Sequence, residues 1–241
     1  MSSLAEAIEA IRRRKPRKVV VFTGAGISAE SGIPTFRGSG GLWQNYRAED
    51  LATPQAFERD PRLVWEWYEW RRGLIRQAEP NDAHRAIARL PDALVVTQNV
   101  DGLHARGGAA DIVELHGNIL RVRCVREGKT HERMEPFAEL PPHCTDCGAL
   151  LRPDVVWFGE ALPEEPVARA MHAMRNAELL LVIGTSGVVY PAAGFVNLCR
   201  GLSIEINPEA SGVSSACTYA IAAKAGVATP PIVDVILEEQ S

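Results

Sequence analysis

The residues best suited to chemistry stand directly after short apolar runs. Residues 24–29 (Gly-Ala-Gly-Ile-Ser-Ala) follow the β-branched run 19–22 and fit the G-x-G-x-x-G/A pattern of a dinucleotide-binding turn. Glycine lets the backbone pass close to a pyrophosphate, and the N-terminus of a following helix presents free N–H groups to the anion. The pattern therefore predicts a turn that binds a phosphate-bearing ligand.

Three more polar segments follow apolar runs in the same way. They are residues 98–101 (Gln-Asn-Val-Asp) after Leu94–Thr97, residues 184–186 (Gly-Thr-Ser) after Leu179–Ile183, and residues 207–209 (Asn-Pro-Glu) after the run 203–206. Ligands of open α/β sheets bind in the crevice at the carboxyl ends of the strands. Residues 98–101 alone would better suit a capping turn, but beside the other segments one bound dinucleotide accounts for all four.

His116 is the candidate general base. It follows the short apolar run Ile112-Val113 and stands in the sequence Glu114-Leu115-His116-Gly117. A single histidine near a strand end is commonly structural. An imidazole, however, exchanges protons near neutral pH without large tuning, and this suits a base beside a bound cofactor.

The elements that must position these residues form an alternating pattern. The four apolar runs indicate buried parallel strands, and helical patterns lie between them, at the start of the chain and after Pro230-Pro231. We predict an α/β fold with a doubly wound parallel (Rossmann-like) sheet, built from residues 1–33, 81–119 and 153–241.

Two segments interrupt this alternation. Residues 34–80 hold four of the five tryptophans in a helical pattern, and residues 120–152 are polar and rich in cysteine and histidine. We expect them to form a smaller inserted domain, partly helical and partly a zinc-ribbon-like segment.

Composition limits the partners and the compartment. The chain has 241 residues and a net charge of -4, which gives no electrostatic reason to expect nucleic-acid binding. No apolar run has transmembrane length and the N-terminus lacks a signal-peptide pattern, so we expect no membrane association and a cytoplasmic location. An odd number of cysteines, five, favours thiols or metal ligands over disulfides. The oligomeric state stays open, a monomer included.

Residues 31–38 (Ser-Gly-Ile-Pro-Thr-Phe-Arg-Gly) exceed what a dinucleotide-binding turn needs. With Gln-Asn-Val-Asp at 98–101, His-Gly-Asn-Ile at 116–119 and Gly-Thr-Ser continuing to Pro-Ala at 184–192, the chain resembles the sirtuin family of NAD-dependent protein lysine deacylases. The motifs occur in the family's order along nearly the whole chain.

The resemblance implies NAD as cofactor and assigns its contacts. Gln98, Asn99 and Asp101 would surround the nicotinamide and its ribose, while Phe36 would shield the reactive centre and Arg37 would help hold the phosphate and ribose region. The full NAD-binding set is Gly24, Ala25, Gly26, Ile27, Ser28, Ile33, Pro34, Phe36, Arg37, Trp43, Gln98, Asn99, Val100, Asp101, Gly184, Thr185, Ser186, Asn207, Pro208, Glu209 and Ala225.

The resemblance also implies a reaction. The amide oxygen of an acyl-lysine attacks the nicotinamide ribose, nicotinamide leaves, and His116, with Asn99 and Asp101 as the other catalytic residues, deprotonates a ribose hydroxyl. The products are free lysine and O-acyl-ADP-ribose. The partners would be acyl-lysine peptides and proteins, which pair with a strand that contains Val156, Trp157, Phe158 and Gly159.

Tyr68 and Arg71 suggest which acyl groups are accepted. Residues three apart share a helix face, although the same spacing also occurs in an ordinary amphipathic stripe with an extended arginine. The pair resembles the Y-x-x-R motif of one sirtuin subgroup (class III), in which it recognises a carboxylate on the acyl chain. The resemblance thus implies a deacetylase that is also a desuccinylase and demalonylase, with glutaryl-lysine as a further substrate.

Cys124, Cys144 and Cys147 are candidate ligands of a structural zinc. Cys144-x-x-Cys147 has zinc-ribbon spacing, and such a site needs four ligands. The family pattern is C-x-x-C twice, but this chain has Glu127 at the position of the missing cysteine. The fourth ligand could be Glu127, His131 or His143; alternatively, the metal is lost and packing holds the ribbon.

Three other functions remain open at this stage. A mono-ADP-ribosyltransferase would use the same scaffold, and a non-catalytic sensor of NAD or acyl-peptides would have no need of His116. An ordinary dehydrogenase has little support, because no acidic ribose partner is evident about twenty residues after the glycine turn.

Overall fold

The computed structural model describes residues 2–35, 46–188 and 191–240. Within these residues, six strands form one parallel sheet and three form a smaller antiparallel sheet. The strands are β1 Val19–Thr23, β2 Leu94–Thr97, β3 Ile112–Glu114, β4 Gly117–Cys124, β5 Thr130–Glu132, β6 Leu151–Val155, β7 Leu179–Ile183, β8 Leu202–Asn207 and β9 Tyr219–Ala222. The α-helices are α1 Leu4–Arg14, α2 Ala48–Leu51, α3 Pro54–Arg59, α4 Pro61–Gln77, α5 Asp82–Ala88, α6 Leu103–Arg106, α7 Glu164–Asn176 and α8 Ala225–Gln240. Short 3-10 helices cover Ala25–Ser31, Ala192–Leu198 and Ser214–Ala216.

The parallel sheet has the order β3-β2-β1-β7-β8-β9. The chain builds outward from β1 through β2 to β3, and then returns to the other side of β1 with β7. The direction of winding therefore reverses between β1 and β7, where a doubly wound sheet opens its binding crevice. The predicted fold class is confirmed.

Burial on both faces explains why the central strands are continuously apolar. Every residue of β1 and β7 is buried. Residues of α1, α5 and α8 pack against one face of the sheet, and residues of α7 and of the 3-10 helix Ala192–Leu198 pack against the other. A sheet covered on both sides cannot tolerate the alternation of apolar and polar residues that marks a half-exposed strand.

The sequence pattern predicts the four central strands to within a residue at each end, and it does not predict two edge strands. β3 has three residues, and β9 has alanines at two of its four positions, so neither contains a long apolar run. An edge strand pairs on one side only, and its sequence carries a weaker signal for that reason.

The predicted start of the C-terminal helix is wrong. The sequence places the helix after Pro230-Pro231, but α8 begins at Ala225 and both prolines lie inside it. Proline costs a helix one backbone hydrogen bond. Ala228, Ile232 and Ile236 are fully buried in the sheet core, and this packing outweighs the loss.

The two insertions form a second cluster of elements with its own core. Helices α2, α3 and α4 lie in the first insertion, and β4, β5 and β6 form the antiparallel sheet with the order β5-β4-β6. Trp65 and Trp67 of α4 are fully buried in this cluster. The small sheet begins at Gly117 and ends at Val155, beyond both limits of the predicted segment 120–152. The exact division into two domains stays a prediction.

Arg72 joins the helical insertion to the ribbon. Its side chain is fully buried, and its guanidinium donates to the carbonyl oxygens of Ile119 (2.6 Å), Arg133 and Glu135 (3.2 Å). Glu69, one turn earlier on α4, pairs with Arg72 Nε at 2.6 Å. A guanidinium suits this position because it presents five N–H donors in a fixed plane.

Replacing Arg72 should destabilise the protein strongly. In Arg72→Met three carbonyls that accept from a buried guanidinium lose their donor and Glu69 loses its closest partner, so we expect the free energy of unfolding to fall by at least about 3 kcal/mol. Urea unfolding followed by circular dichroism measures this. Arg62→Met is the matched control on the same helix, since the Arg62 side chain is 72% exposed and pairs with Glu66; it should change stability by less than about 0.5 kcal/mol. Equal losses in the two variants would contradict the proposed anchoring.

Candidate active site

A cleft of about 760 Å³ lies at the carboxyl ends of the parallel strands. The segments that follow β1, β2, β7 and β8 all contribute to its lining, together with α4 and the segment after β6. The four polar segments found in the sequence are therefore brought together, as the predicted sheet requires. The order of the strands explains this, because parallel neighbours end on the same edge.

The glycines of the turn after β1 pack against the turn after β7. A Cβ atom on Gly26 would lie 2.7 Å from Gly184 Cα, and one on Gly24 would lie 2.8 Å from Thr185 Cα. Gly184 has a φ of +64°, and a Cβ there would come within 2.2 Å of the backbone nitrogen of Ile27. These contacts require glycine at all three positions, and they bring two backbone loops together at the base of the cleft. Turn-to-turn packing is thus one reason for glycine here, beside the expected approach to a pyrophosphate.

Side-chain hydrogen bonds cross-link three of the cleft loops. The Gln98 amide donates to Thr185 Oγ1 at 3.1 Å, and the Asn207 amide donates to the Thr185 carbonyl at 2.7 Å. Gly26 N–H donates to the Gly184 carbonyl at 2.8 Å. The cleft wall is therefore held by specific bonds before any ligand binds.

Asn99, Ser28 and Asp101 form a buried polar group beside the cleft. The Asn99 amide donates to Ser28 Oγ at 3.2 Å, and the Ser28 hydroxyl donates to Asp101 Oδ2 at 2.7 Å. The backbone N–H of Leu103 donates to Asp101 Oδ1 at 2.9 Å. Burial raises the pKa of Asp101, and the two hydrogen bonds oppose that change.

His116 lies between β3 and β4 and lines the cleft. Its Nδ1 is 2.8 Å from the carbonyl oxygen of Gln98. A carbonyl only accepts, so Nδ1 carries the proton and Nε2 holds a free lone pair. Burial lowers the pKa of His116, which keeps the ring neutral near pH 7. The residue is therefore in the form that a general base needs.

Tyr68 and Arg71 line the same cleft from α4, and both are buried. The Trp157 indole donates to the Tyr68 hydroxyl at 2.8 Å, and the Arg71 guanidinium carbon lies 5.4 Å from the centre of the Trp67 ring. Burial lowers the pKa of Arg71 and raises that of Tyr68. Both side chains thus face the cleft, and the alternative of an exposed, extended arginine is wrong.

The segment that contains Trp157 is held by an ion pair. Arg152 donates to both oxygens of Glu160 at 2.6 and 2.8 Å, and its guanidinium lies 3.4 Å from the centre of the Trp157 ring. Glu160 also accepts the Trp157 backbone N–H at 2.8 Å. Phe158, in contrast, is 46% exposed, so an apolar ring faces solvent at the cleft mouth.

Most of the sequence-predicted site residues in the described ranges line the cleft. Those on its surface are Gly24, Ala25, Gly26, Tyr68, Arg71, Gln98, Asn99, Val100, His116, Val156, Trp157, Phe158, Gly159, Gly184, Thr185, Ser186, Asn207 and Glu209. Those that do not line it are Ile27, Ser28, Ile33, Pro34, Asp101, Pro208 and Ala225. Phe36, Arg37 and Trp43 lie outside the residues that the structure describes.

The cleft also has lining residues that the sequence did not reveal. They include Thr35, Glu49, Trp67, Glu160, Leu162, Ser211 and Gly212. Trp67 and Glu160 adjoin predicted residues and could have been found from that proximity. Glu49 stands in a helix of four residues, too short to show which way its side chains point.

A comparison with known families gives the relationship directly. The family model described as "Sir2 family" matches residues 24–191, which is more than half of the chain. The chain belongs to the Sir2 family. The expected sirtuin resemblance is thereby confirmed.

Similar Sir2-family proteins cover nearly the whole chain. NAD-dependent protein deacylase 2 of Pyrobaculum aerophilum is 52% identical over 226 residues, 90% of each protein. The NAD-dependent protein deacylase of Aquifex aeolicus is 49% identical over 229 residues, 92% of this chain and 96% of that protein.

Solved Sir2 structures share the fold. The crystal structure of a Sir2 homolog–NAD complex has a TM-score of 0.91 at 42% identity and covers 98% of this chain and 95% of its own. A Sir2 complex with a p53 peptide and NAD+ has a TM-score of 0.81 at 30% identity, with coverages of 98% and 96%.

The cysteine ribbon of this Sir2-family chain suits a structural zinc. The sulfurs of Cys124, Cys144 and Cys147 all lie within 4.8 Å of one another, and those of Cys124 and Cys147 are 3.5 Å apart. Two sulfurs on a tetrahedral zinc with bonds of about 2.3 Å would be about 3.8 Å apart. The three thiols therefore already have nearly the required spacing.

The fourth ligand stays undecided. Among the residues that the structure describes, no carboxylate or imidazole joins the three sulfurs within the same 4.8 Å. Glu127 instead pairs with Lys129 at 2.8 Å, and His131 and His143 are exposed.

We expect about one zinc per chain in protein purified without chelator. Cys147→Ser should lower the zinc content measured by inductively coupled plasma mass spectrometry, and it should lower the melting temperature, because metal binding contributes folding free energy. Cys199→Ser is the matched control, since Cys199 lies outside the cluster, and it should keep the metal. If wild-type protein contains no zinc and chelator treatment leaves its melting temperature unchanged, packing alone holds the ribbon.

Proposed function

We propose that this Sir2-family chain removes acyl groups from protein lysines in an NAD-dependent reaction, and that it accepts acyl chains ending in a carboxylate as well as acetyl. The names of its relatives support the general activity, since several at about 50% identity are NAD-dependent protein deacylases. The p53-peptide complex of a structural neighbour supports a peptide substrate.

The cleft fits NAD by its donor set and shape. Glycines form the base of the cleft, and Gln98, Thr185 and Asn207 place amide and hydroxyl groups on its lining at the ends of three strands. When bound, NAD would supply the ribose that takes the acyl group and would release nicotinamide. The residues of the chain would orient it and keep water away from the reacting carbon.

His116 acts as the general base in this proposal. Its Nδ1–H is committed to the Gln98 carbonyl, which fixes the ring and leaves Nε2 as the atom that accepts a proton. Gln98 also bonds Thr185, so the orientation of the base depends on the loops that would hold the cofactor. Proton transfer by a positioned side chain contributes about 10²–10⁴-fold to a rate.

Asn99 and Asp101 have different tasks. Asn99 lines the cleft and can donate to a ligand, whereas Asp101 lies behind it and holds Ser28 through the hydroxyl. Since Asn99 in turn donates to Ser28, Asp101 orients Asn99 indirectly. We assign contact with the nicotinamide ribose to Asn99 and support of that contact to Asp101 and Ser28.

One observation carries the proposed acyl specificity: Arg71 and Tyr68 are buried on the wall of the cleft that contains His116. A guanidinium removed from water interacts strongly with a carboxylate and can bind it through two parallel hydrogen bonds. The Tyr68 hydroxyl accepts from Trp157, so its own proton is available for a second donor contact. An acyl chain that ends in a carboxylate carries acceptors that both groups can bind, whereas an acetyl group carries no terminal carboxylate.

The test compares matched acetyl- and succinyl-lysine peptides with NAD. We expect wild type to cleave both, and Arg71→Met to lose at least about tenfold in kcat/KM for the succinyl peptide, because a charge-assisted hydrogen bond is worth about 1.5–3 kcal/mol. For the acetyl peptide, kcat/KM of the same variant should change by less than about threefold. His116→Ala should lose both activities. Mass spectrometry of the peptides measures the activity of all three proteins on both substrates.

The controls separate the two parts of the proposal. Arg62→Met removes an exposed charge from the same helix and should leave both activities unchanged. Succinyl turnover that survives in Arg71→Met would reduce the Tyr68 and Arg71 pair to helix packing. A wild-type protein that binds NAD and cleaves neither peptide would overturn the deacylase assignment and favour a transferase or a sensor.

The pH dependence follows from the neutral state of His116. A base works unprotonated, so the rate falls as the pH drops through its pKa, and burial places that pKa below the ordinary histidine value of about 6.5. We therefore expect the acid limb of kcat/KM for the acetyl peptide, which reports the free enzyme, to have its midpoint below about pH 6.5. An acid limb with its midpoint above that value would argue against His116 as the base.

A further inference from the structure

Two buried histidines lie beneath the cleft loops and have no part in the proposed chemistry. His84 of α5 and His104 of α6 are 0% and 2% exposed, and their ring centres are 4.8 Å apart. Burial lowers the pKa of His84 to about 4 and that of His104 to about 3, so both rings are neutral near pH 7. Neither residue lines the cleft.

A chain of hydrogen bonds leads from His104 to the loop after β2. His104 Nε2 lies 3.0 Å from Thr23 Oγ1, the Thr23 hydroxyl donates to Thr97 Oγ1 at 2.8 Å, and the Asn99 backbone N–H donates to the same Thr97 oxygen at 3.0 Å. The Thr23 proton is used on Thr97, so Nε2–H of His104 must donate to Thr23. His104 and Thr23 therefore donate in the direction of Thr97, whose oxygen also accepts from the Asn99 backbone.

The chain acts where two central strands end. Thr23 and Thr97 are the last residues of β1 and β2 and face each other in the register of the sheet. The next residues enter the cleft loops, and Asn99 is the residue whose side chain donates to Ser28. The bond from the Asn99 backbone amide to Thr97 therefore holds the Asn99 backbone in place and limits where its side chain can point. This is the side chain that we assign to the nicotinamide ribose.

His84 supports the other side of the pair. Its Nδ1 lies 3.0 Å from Asn81 Oδ1, and the Asn81 amide donates to the Ile27 carbonyl at 2.7 Å and to Ser31 Oγ at 3.0 Å. The two rings thus stand between the glycine-rich turn after β1 and the loop after β2.

The choice of histidine at both positions argues against a role for His84 and His104 that is limited to filling the core. Within the described part of the chain, His104 Nδ1 and His84 Nε2 have no hydrogen-bond partner. A buried polar nitrogen without a partner costs free energy, which an apolar side chain of similar size would avoid. The bond from His104 Nε2 to Thr23 is what an imidazole adds at this position and a phenyl ring cannot.

We propose that His104 is a positioning residue for the deacylation reaction, which sets the orientation of Asn99 through the hydroxyls of Thr23 and Thr97. The assignment rests on the proposed function, because it gives Asn99 its task. In this role His104 contacts neither substrate nor cofactor.

The experiment compares His104→Phe, which keeps the ring and loses the donor, with His104→Gln, whose amide can donate in place of Nε2. In His104→Phe we expect kcat for the acetyl peptide to fall at least about tenfold, since a displacement of 1 Å at a reacting centre can cost about 10²-fold. The KM for the peptide should change less than about twofold, because the peptide is bound elsewhere in the cleft. His104→Gln should recover most of the lost kcat.

Thr97→Val breaks the same chain and leaves both histidines in place. It should lower kcat to a similar extent, and His104→Phe/Thr97→Val should be no worse than either single variant, because members of one chain are not additive. Thr229→Val serves as the control; Thr229 is a fully buried threonine of α8, away from the cleft lining, and it should keep wild-type kcat.

Three results would overturn the inference. One is a kcat within twofold of wild type in His104→Phe; another is an equal loss in His104→Gln; the third is fully additive losses in the double variant. If His104→Phe does not fold, Thr97→Val decides alone. An inactive wild type would refute the proposed function instead. Hydrogen exchange of the Asn99 backbone amide would then still test the hydrogen-bond chain, and we expect it to be faster in both variants than in wild type. Unchanged exchange would refute the hydrogen-bond chain.

Discussion

The close approach of two backbone turns underlies the architecture of this site. Gly26 and Gly184 bring the ends of β1 and β7 together at the point where the sheet reverses its winding, with no side chain between them. The hydrogen bond from Gly26 to Gly184 closes the base of the cleft. Because the other strands are in register with these two, the loops after β2 and β8 open into the same space. A larger residue at either position would separate the turns and widen the cleft from below.

Burial controls the electrostatics of the cleft more than pairing does. It is the largest cause of the altered pKa at Asp101, His116 and Arg71, raising the first and lowering the other two. All three changes favour the neutral form, as expected when a charge leaves water. The consequences differ with the chemistry: a neutral imidazole can act as a base, while a guanidinium still carries its charge at pH 7 and gains from a carboxylate ligand. The same physical effect thus supports both of the roles that we propose for these residues.

The small sheet and the helical insertion give the cleft its second wall. Arg72 ties α4 to the backbone of the ribbon, and its neighbour Arg71 faces the cleft. Trp157 links the same helix to the segment after β6 through the Tyr68 hydroxyl, and Arg152 and Glu160 hold that segment in turn. The Tyr68 hydroxyl, one of the groups proposed to select the acyl chain, is therefore held in place by its hydrogen bond from Trp157. Rigid positioning favours specificity because little side-chain freedom is lost when a ligand binds.

The sequence alone determined the central strands, the order of the loops that follow them and the family. These are local properties: apolar runs report burial on both faces, and glycine or polar residues at a strand end report a turn. Only the tertiary structure decided which side chains meet. Thr23 with Thr97, Ser28 with Asp101 and Tyr68 with Trp157 are each more than seventy residues apart. The start of α8 and the edge strands β3 and β9 also depended on packing, which outweighs local preference there. A pattern of residue types indicates whether a segment is a helix or a strand and which of its faces is buried. The contacts across the sheet follow from the packing of the whole chain, and so do the side-chain rotamers.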